Sequence, residues 1–220
     1  MIYILDEQLS IVNQYMGEVR DARFADNGSR LEMNIERISN IAAYELSKHL
    51  EYKVLNLATL SGNEARANNI KQPVVIAAIL RAGLPVQNGL FAMFEQAERA
   101  FVAAHRHGHA KSDGFDIAIN YLVSPPLKDK LLIIADTIVA TGNTVIKSYQ
   151  SLLGSMGKPA ETWVVSIVAS RQAVQALRTM LPEVNLMIGS VDPELNKDFM
   201  IVPGLGDAGD RLYGQKGDDL

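Results

Sequence analysis

The stretch Leu131 to Thr144, LLIIADTIVATGNT, constrains this chain more than any other. An unbroken apolar run suited to a buried strand delivers the chain into Asp136. A turn of small residues, ATGNT, then precedes an amphipathic segment from Val145 to Met156. That order suits a phosphate site. A phosphate wants several backbone N–H donors converging at a helix start, where the macrodipole favours an anion and bulky side chains would block the approach. Thr141, Gly142, Asn143 and Thr144 are compact and bring two hydroxyls. The other reading is an ordinary strand-to-helix turn with Thr or Asn as N-cap, and these residues alone leave both open.

The rest of the chain sets the architecture. Pro73 to Leu80, PVVIAAIL, is short and continuously apolar, as in a strand covered on both faces. Strand-like runs recur at Ala100–Ala104, Ile117–Val123, Thr162–Ala169 and Asn185–Ser190, with helical patterns at Leu84–Ala97, Val145–Met156 and Arg171–Met180. Leu31, Ile35, Ile38, Ala42 and Leu46 recur at helical spacing, which predicts a core-facing helix in the N-terminal part. Alternation of strands and helices predicts an α/β protein with a mostly parallel central sheet and flanking helices. Ligands of such sheets bind beyond the carboxyl ends of the strands, where ILRAG (79–83) and ADTIVATGNT (135–144) would both fall.

Two segments stand apart. His105 to Phe115, HRHGHAKSDGF, is polar and lies between strand-like runs, so it reads as a mobile loop or the tip of a hairpin. From Val191 onward Gly, Asp and Pro are frequent and helical periodicity is weak, while Phe199–Val202 and Leu212–Tyr213 supply apolar anchors. An ordered functional loop is the expectation. One domain of residues 1–220 is anticipated, with an N-terminal helical and arm region (1–72), an α/β core (73–190) and a tail (191–220).

Composition excludes several classes. With 21 basic against 25 acidic residues the net charge is −4, which offers no general attraction to nucleic acid or an anionic membrane. No cysteine is present, so thiolate metal sites and cysteine nucleophiles are ruled out. No apolar run approaches the roughly 20 residues of a membrane span. MIYILDEQLS lacks the basic flank of a secretory signal, so a cytoplasmic location is expected. His105, His107 and His109 alternate but have no evident fourth ligand, and a protein metal site is not expected there.

Pattern matches need context. Gly204, Gly206 and Gly209 form a G-x-G-x-x-G, but only eleven residues follow and no βαβ unit surrounds them, so a dinucleotide fingerprint is rejected. A Walker A loop fails too, because Thr137 stands at its first glycine and Asn143 at its lysine.

Three separated strings change the reading: ILRAGLPVQNGL (79–90), ADTIVATGNT (135–144) and MIVPGLGDAGDRLYG (200–214). In order and approximate spacing the chain resembles the uracil phosphoribosyltransferase family from about Pro73 to Lys216, and more loosely at Ala43–Leu50. The resemblance implies a type I phosphoribosyltransferase fold with a β-hairpin or loop arm and a C-terminal base-binding loop region. It also implies transfer of a phosphoribosyl group from 5-phosphoribosyl 1-diphosphate (PRPP) to N1 of uracil, giving uridine monophosphate and diphosphate. A regulator that keeps the fold to sense uridine nucleotides or PRPP is the alternative, since fold does not fix function.

Carried over residue by residue, the resemblance sets Asp136 to Thr144 on PRPP: Asp136, Thr137, Ile138 and Val139 lead from the ribose hydroxyls, and Ala140, Thr141, Gly142, Asn143 and Thr144 cradle the 5-phosphate. Arg81 and Arg106 match arginines that contact PRPP, a role suited to a planar, permanently charged fork. Uracil is expected against Ile201, Gly206, Asp207 and Ala208. There main-chain groups can read the edges of a flat ring and leave cytosine with an unpaired group. Asp207 and Arg106 are the catalytic candidates, Asp207 holding hydrated magnesium or the diphosphate shell, or accepting the uracil N1 proton. The magnesium would arrive with PRPP and needs no dedicated protein cage. The substrates uracil and PRPP, and a homodimer or higher homo-oligomer, complete what the resemblance implies.

Departures from the family pattern concentrate on the diphosphate side. Bacterial members commonly read D-P-M-L-A-T-G-G-S where this chain has 136–144, so a small glycine is replaced by Asn143. Ala103 stands where G-x-x-R begins before Arg106, and a common lysine is missing near Tyr121 and Leu122. His105, His107 and His109 are candidate replacement donors, a role that His107→Ala would test.

Overall fold

The computed structural model describes residues 1–111 and 114–215, of which 106–111 and 114–115 are described through their backbone only. In chain order the elements are β1 (Ile2–Ile4), α1 (Ile11–Arg20), α2 (Gly28–Ser47), β2 (Tyr52–Ala58), β3 (Glu64–Ile70), β4 (Val74–Leu80), α3 (Leu84–Met93), β5 (Glu98–Lys111) and β6 (Gly114–Val123). There follow β7 (Leu131–Val139), α4 (Asn143–Met156), β8 (Glu161–Ser170), α5 (Arg171–Met180), β9 (Asn185–Asp192), β10 (Glu194–Leu195), β11 (Ile201–Val202) and α6 (Ala208–Tyr213).

Seven strands form the central sheet in the order β1-β9-β8-β7-β4-β5-β6. All neighbours run parallel except β5 and β6, which form an antiparallel hairpin. The alternation of the strand residues explains the layers. Val74, Ile76, Leu131, Ile133 and Ala135 pack into one core with α1, α2 and α3, while Val75, Ala77, Leu132 and Ile134 pack into a second with α4 and α5. Both faces are therefore dry, as continuously apolar strands require. Leu31, Ile35, Ile38, Ala42 and Leu46 of α2 are all buried, as their helical spacing predicts.

Several elements lie outside the sequence expectations. MIYI contributes β1, which pairs with β9 and so ties the N-terminal region into the core sheet. Residues 52–70 form a separate antiparallel hairpin of β2 and β3. Helix α3 stops at Met93, four residues short of Ala97. The stretch from His105 continues the β5–β6 ladder, consistent with the hairpin reading, with Arg106 opposite Ile117 and His107 opposite Asp116.

Strand β7 also runs further than expected, to Val139 instead of Ala135. Its pairing with β4 ends at Ala78–Ala135, whereas its pairing with β8 continues to Val139–Ala169. A crevice therefore opens between the ends of β4 and β7. Helix α3, after β4, covers one face of the sheet and α4, after β7, covers the other. This is the topological switch point of the sheet, where open α/β folds place their ligands.

Candidate active site

Gly142 decides the geometry of the turn after β7. Its φ is +86°, a left-handed conformation that a side chain would strain. Asn143 is already the first residue of α4, so the demand for φ > 0 falls on Gly142 and the extra bulk of Asn143 meets no backbone restriction. The first intrahelical bond runs from Ile146 N–H to the Gly142 carbonyl at 3.0 Å. The amides of 143–145 thus precede the helical ladder. No side chain caps the helix at Gly142, and the Thr141 hydroxyl accepts from Asn143 N–H only at 3.4 Å. A helix whose cap position is a glycine, and whose first turn brings Thr144 and Val145 to the cavity wall, favours the phosphate reading over the capped-turn reading.

The turn is fixed from behind. Ser170 accepts from Ala173 N–H as the cap of α5, and its hydroxyl donates to the Ala140 carbonyl at 2.5 Å. Thr137 is fully buried and donates to the Ala82 carbonyl at 2.6 Å, joining the end of β7 to the ILRAG turn. In that turn Gly83 is required by close approach, since a Cβ would lie 2.3 Å from the Ala135 carbonyl oxygen.

Opposite this turn lies the tail. Residues 201–208 pack Ile201, Leu205 and Ala208 into the core on the α1–α2 side. Asp207 caps α6, its Oδ1 accepting from Asp210 N–H at 3.0 Å. Between turn and tail is a cavity of about 150 Å³, open on one side. Its walls bring together Asp136, Ile138, Val139, Ala140, Thr141, Gly142 and Thr144 with Ile201, Gly206, Asp207 and Ala208, residues separated by some 60 positions in the chain. The sequence reading missed Ala82, Ile117, Val168, Phe199 and Met200, which also line it. Ile117 and Val168 look like any apolar strand residue, and only sheet register selects them.

Asp136 is the one strongly perturbed carboxyl of the cavity. Burial at the crevice pushes its pKa up from 3.8 to about 7, against the N–H groups of Thr137 and Ile138, which lower it. Near neutral pH such a group exchanges between hydrogen-bond donor and acceptor.

The remaining expected residues fall outside the cavity wall. Thr137, whose hydroxyl bonds the Ala82 carbonyl, and Asn143 do not line it. Arg81 follows β4 through a cis Leu80–Arg81 peptide and turns toward α6, where it meets Asp210 Oδ1 at 3.0 Å and lies over the Tyr213 ring. Arg106 lies on β5 with its backbone opposite Ile117, a cavity residue; its side chain, and those of His107 and His109, lie outside the described part. Among the described residues no group of three or more His, Asp or Glu could hold a metal ion.

A protein-family model described as uracil phosphoribosyltransferase matches residues 7–215. The chain is 40% identical over 213 residues to a uracil phosphoribosyltransferase of Porphyromonas gingivalis, covering 96% of this chain and 97% of that one. A uracil phosphoribosyltransferase of Metallosphaera sedula is 30% identical over 221 residues, covering 97% and 99%. Among solved structures, the AQ2163 protein from Aquifex aeolicus superposes with a TM-score of 0.87 at 27% identity over 97% of this chain and 98% of its own. A hypoxanthine phosphoribosyltransferase from Staphylococcus aureus, with a TM-score of 0.50 at 18% identity over 74% and 76% of the two chains, shares the fold.

Fold and crevice together define a type I phosphoribosyltransferase. Within that class, the chain belongs to the uracil phosphoribosyltransferase family.

Proposed function

We propose that this protein transfers the 5-phosphoribosyl group from PRPP to N1 of uracil, releasing uridine monophosphate and diphosphate. The observation that carries the reading is the cavity in which the start of α4 faces the glycine-rich tail across the buried Asp136. The amides of Thr144 and Val145, with the hydroxyls of Thr141 and Thr144, would receive the 5-phosphate. Asp136 would meet the ribose hydroxyls. Backbone groups around Ile201, Gly206 and Ala208 would read the uracil edge, with cytosine rejected because its amino group leaves a buried partner unpaired.

Departure of diphosphate builds positive charge on the anomeric carbon and negative charge on the leaving group. Arg81 and Arg106 are the side chains assigned to the latter. Magnesium carried in by PRPP fits a cavity whose wall offers two carboxylates, Asp136 and Asp207, because that ion takes few protein ligands and keeps substrate oxygens and water. When bound it supplies charge neutralisation at the diphosphate. Asp207 commits Oδ1 to the α6 cap and leaves Oδ2 without a partner among the described residues, so it can serve that shell or take the N1 proton. Full activity in Asp207→Asn at saturating substrates would exclude both roles.

The exposed β2–β3 hairpin supports a homo-oligomer. Tyr52, Val54 and Leu57 are largely open to solvent on a two-stranded sheet that is marginal by itself in water, so a second copy of the chain is assigned to cover it. Light scattering after size exclusion measures this. No helix among the described residues is long and apolar enough to cross a membrane.

The deciding assay incubates the protein with PRPP, magnesium and each free base in turn. Uridine monophosphate and diphosphate formed from uracil alone is the expected result. Turnover of another base would reassign the substrate, and none with any base would leave a sensor of PRPP or nucleotide.

A further inference from the structure

Of the cavity residues assigned to the base, Ile201 and Gly206 bound a short segment, 201–206, whose regular structure is limited to the two-residue strand β11. What holds that segment is a partly buried ion pair drawn from two distant elements. Arg20, at the C-terminal end of α1, meets Asp192, at the end of β9, through two parallel bonds: Nη1 to Oδ2 at 2.7 Å and Nη2 to Oδ1 at 2.8 Å. The Asp192 side chain is 6% exposed and that of Arg20 is 21% exposed. Both groups also grip Gly204. Arg20 Nη1 donates to the Gly204 carbonyl at 2.9 Å, and Gly204 N–H donates to Asp192 Oδ2 at 2.9 Å. Arg20 Nη2 further donates to the Ser190 hydroxyl at 3.0 Å.

Gly204 is held where few other residues could stand. Its φ is +62°, and a Cβ there would lie 2.2 Å from the Ile201 carbonyl oxygen. A second arginine works on the next residue, since Arg211 Nη1 donates both to the Leu205 carbonyl and to the Val19 carbonyl, one residue before Arg20. The tail is thereby hung from the end of α1 at two consecutive peptide groups. The N–H and the carbonyl of Gly204, which belong to the two peptide planes meeting at that residue, are satisfied by one bidentate pair, which sets the orientation of both planes.

We propose that Arg20 and Asp192 are positioning residues for the base: they lie outside the cavity wall but fix the two peptide planes that meet at Gly204, and through them the backbone of Ile201 to Gly206 that reads uracil. The inference rests on the function proposed above. A backbone recognition site depends on the placement of its N–H and C=O groups to a fraction of an ångström, so a loosened turn loses base affinity before it loses chemistry. The phosphate turn is held by the hydroxyls of Thr137 and Ser170 instead, and neither bond uses the side chain of Arg20 or Asp192.

Two variants test the pair. Arg20→Lys keeps the charge but cannot bridge both Asp192 oxygens and Gly204. The double variant Arg20→Met with Asp192→Leu removes the pair without leaving one buried charge alone, an exchange that proteins often accept without loss of stability. In each, KM for uracil is expected to rise about ten- to hundredfold, while KM for PRPP stays within about twofold and kcat at saturating uracil changes far less than KM. Uracil KM within twofold of the unaltered protein overturns the proposal. So does a parallel rise of both KM values together with a lowered Tm, which marks a structural role.

A third measurement needs no variant. In the unaltered protein the Gly204 amide is expected to exchange with deuterium more slowly than the Gly206 amide, and equal rates overturn the brace. An unaltered protein that turns over no uracil overturns the function first and this proposal with it; an active one with insensitive variants overturns this proposal alone.

Discussion

Arg81 and Asp210 form an ion pair at 3.0 Å that joins the ILRAG turn to the tail helix α6. The arginine assigned to the diphosphate is thus engaged by the tail itself. Both side chains are about one-third exposed, so the pair is a surface interaction that substrate phosphate can compete for.

Releasing Arg81 should therefore help PRPP. Asp210→Asn is expected to lower KM for PRPP by up to about fivefold, the equivalent of a surface pair worth at most about 1 kcal/mol. Arg81→Gln should raise it by tenfold or more. Initial-rate kinetics at fixed saturating uracil measures both, and an unchanged KM in Asp210→Asn would show that the pair does not compete with substrate.

Asp136 makes stability depend on pH in a defined direction. Its folded pKa, about 7, lies above the ordinary 3.8, so the folded protein holds the proton more tightly than the unfolded chain does. The contribution is fully present below about pH 4 and is lost as pH rises toward 7. A gap of that size corresponds to about 4 kcal/mol, as an order of magnitude. Asp136→Asn is expected to raise Tm at pH 8, to flatten its fall between pH 4 and 7, and to lose most activity. Thermal melts across pH check the first two, and a steeper fall in the variant would contradict the assignment.

Gly142 and Asn143 should differ in their effect on PRPP binding. Gly142→Ala forces a side chain into φ +86° and against the Ala173 carbonyl at 3.4 Å, so a stability loss of about 1–2 kcal/mol and weaker PRPP binding are expected. Asn143→Gly occupies a helical position and should leave KM for PRPP within about twofold, with a small loss of helix stability of about 1 kcal/mol or less. Parallel denaturation and kinetics on the two variants separate these effects.

Thr137→Val should destabilise without touching substrate. It removes the donor to the Ala82 carbonyl and leaves an unpaired polar group in a buried place, a loss of about 1–3 kcal/mol. Urea unfolding measures it, and a neutral result would mean that water or a shifted backbone replaces the bond.

The local part of this protein was legible in its residues. LLIIADTIVATGNT specifies strand, turn and helix within fourteen positions, because burial on both faces, small residues and a helical period are properties of neighbours in the chain. The same holds for α2 and for the alternation that implies a parallel sheet. Helix α6 was not legible, since six residues with two glycines nearby show too little period to read.

What only the tertiary structure decided is which distant groups meet. Sequence could mark Asp136 as a ligand residue, but its raised pKa comes from the crevice that opens where β4 stops pairing. Likewise Arg20, in an ordinary amphipathic helix, carries no local signal of a role. Its partners Asp192 and Gly204 lie 172 and 184 residues away, and the pairing exists only because β9 and the tail close onto the end of α1. Charge, period and spacing act along the chain; burial and peptide orientation are set by what the fold brings against them.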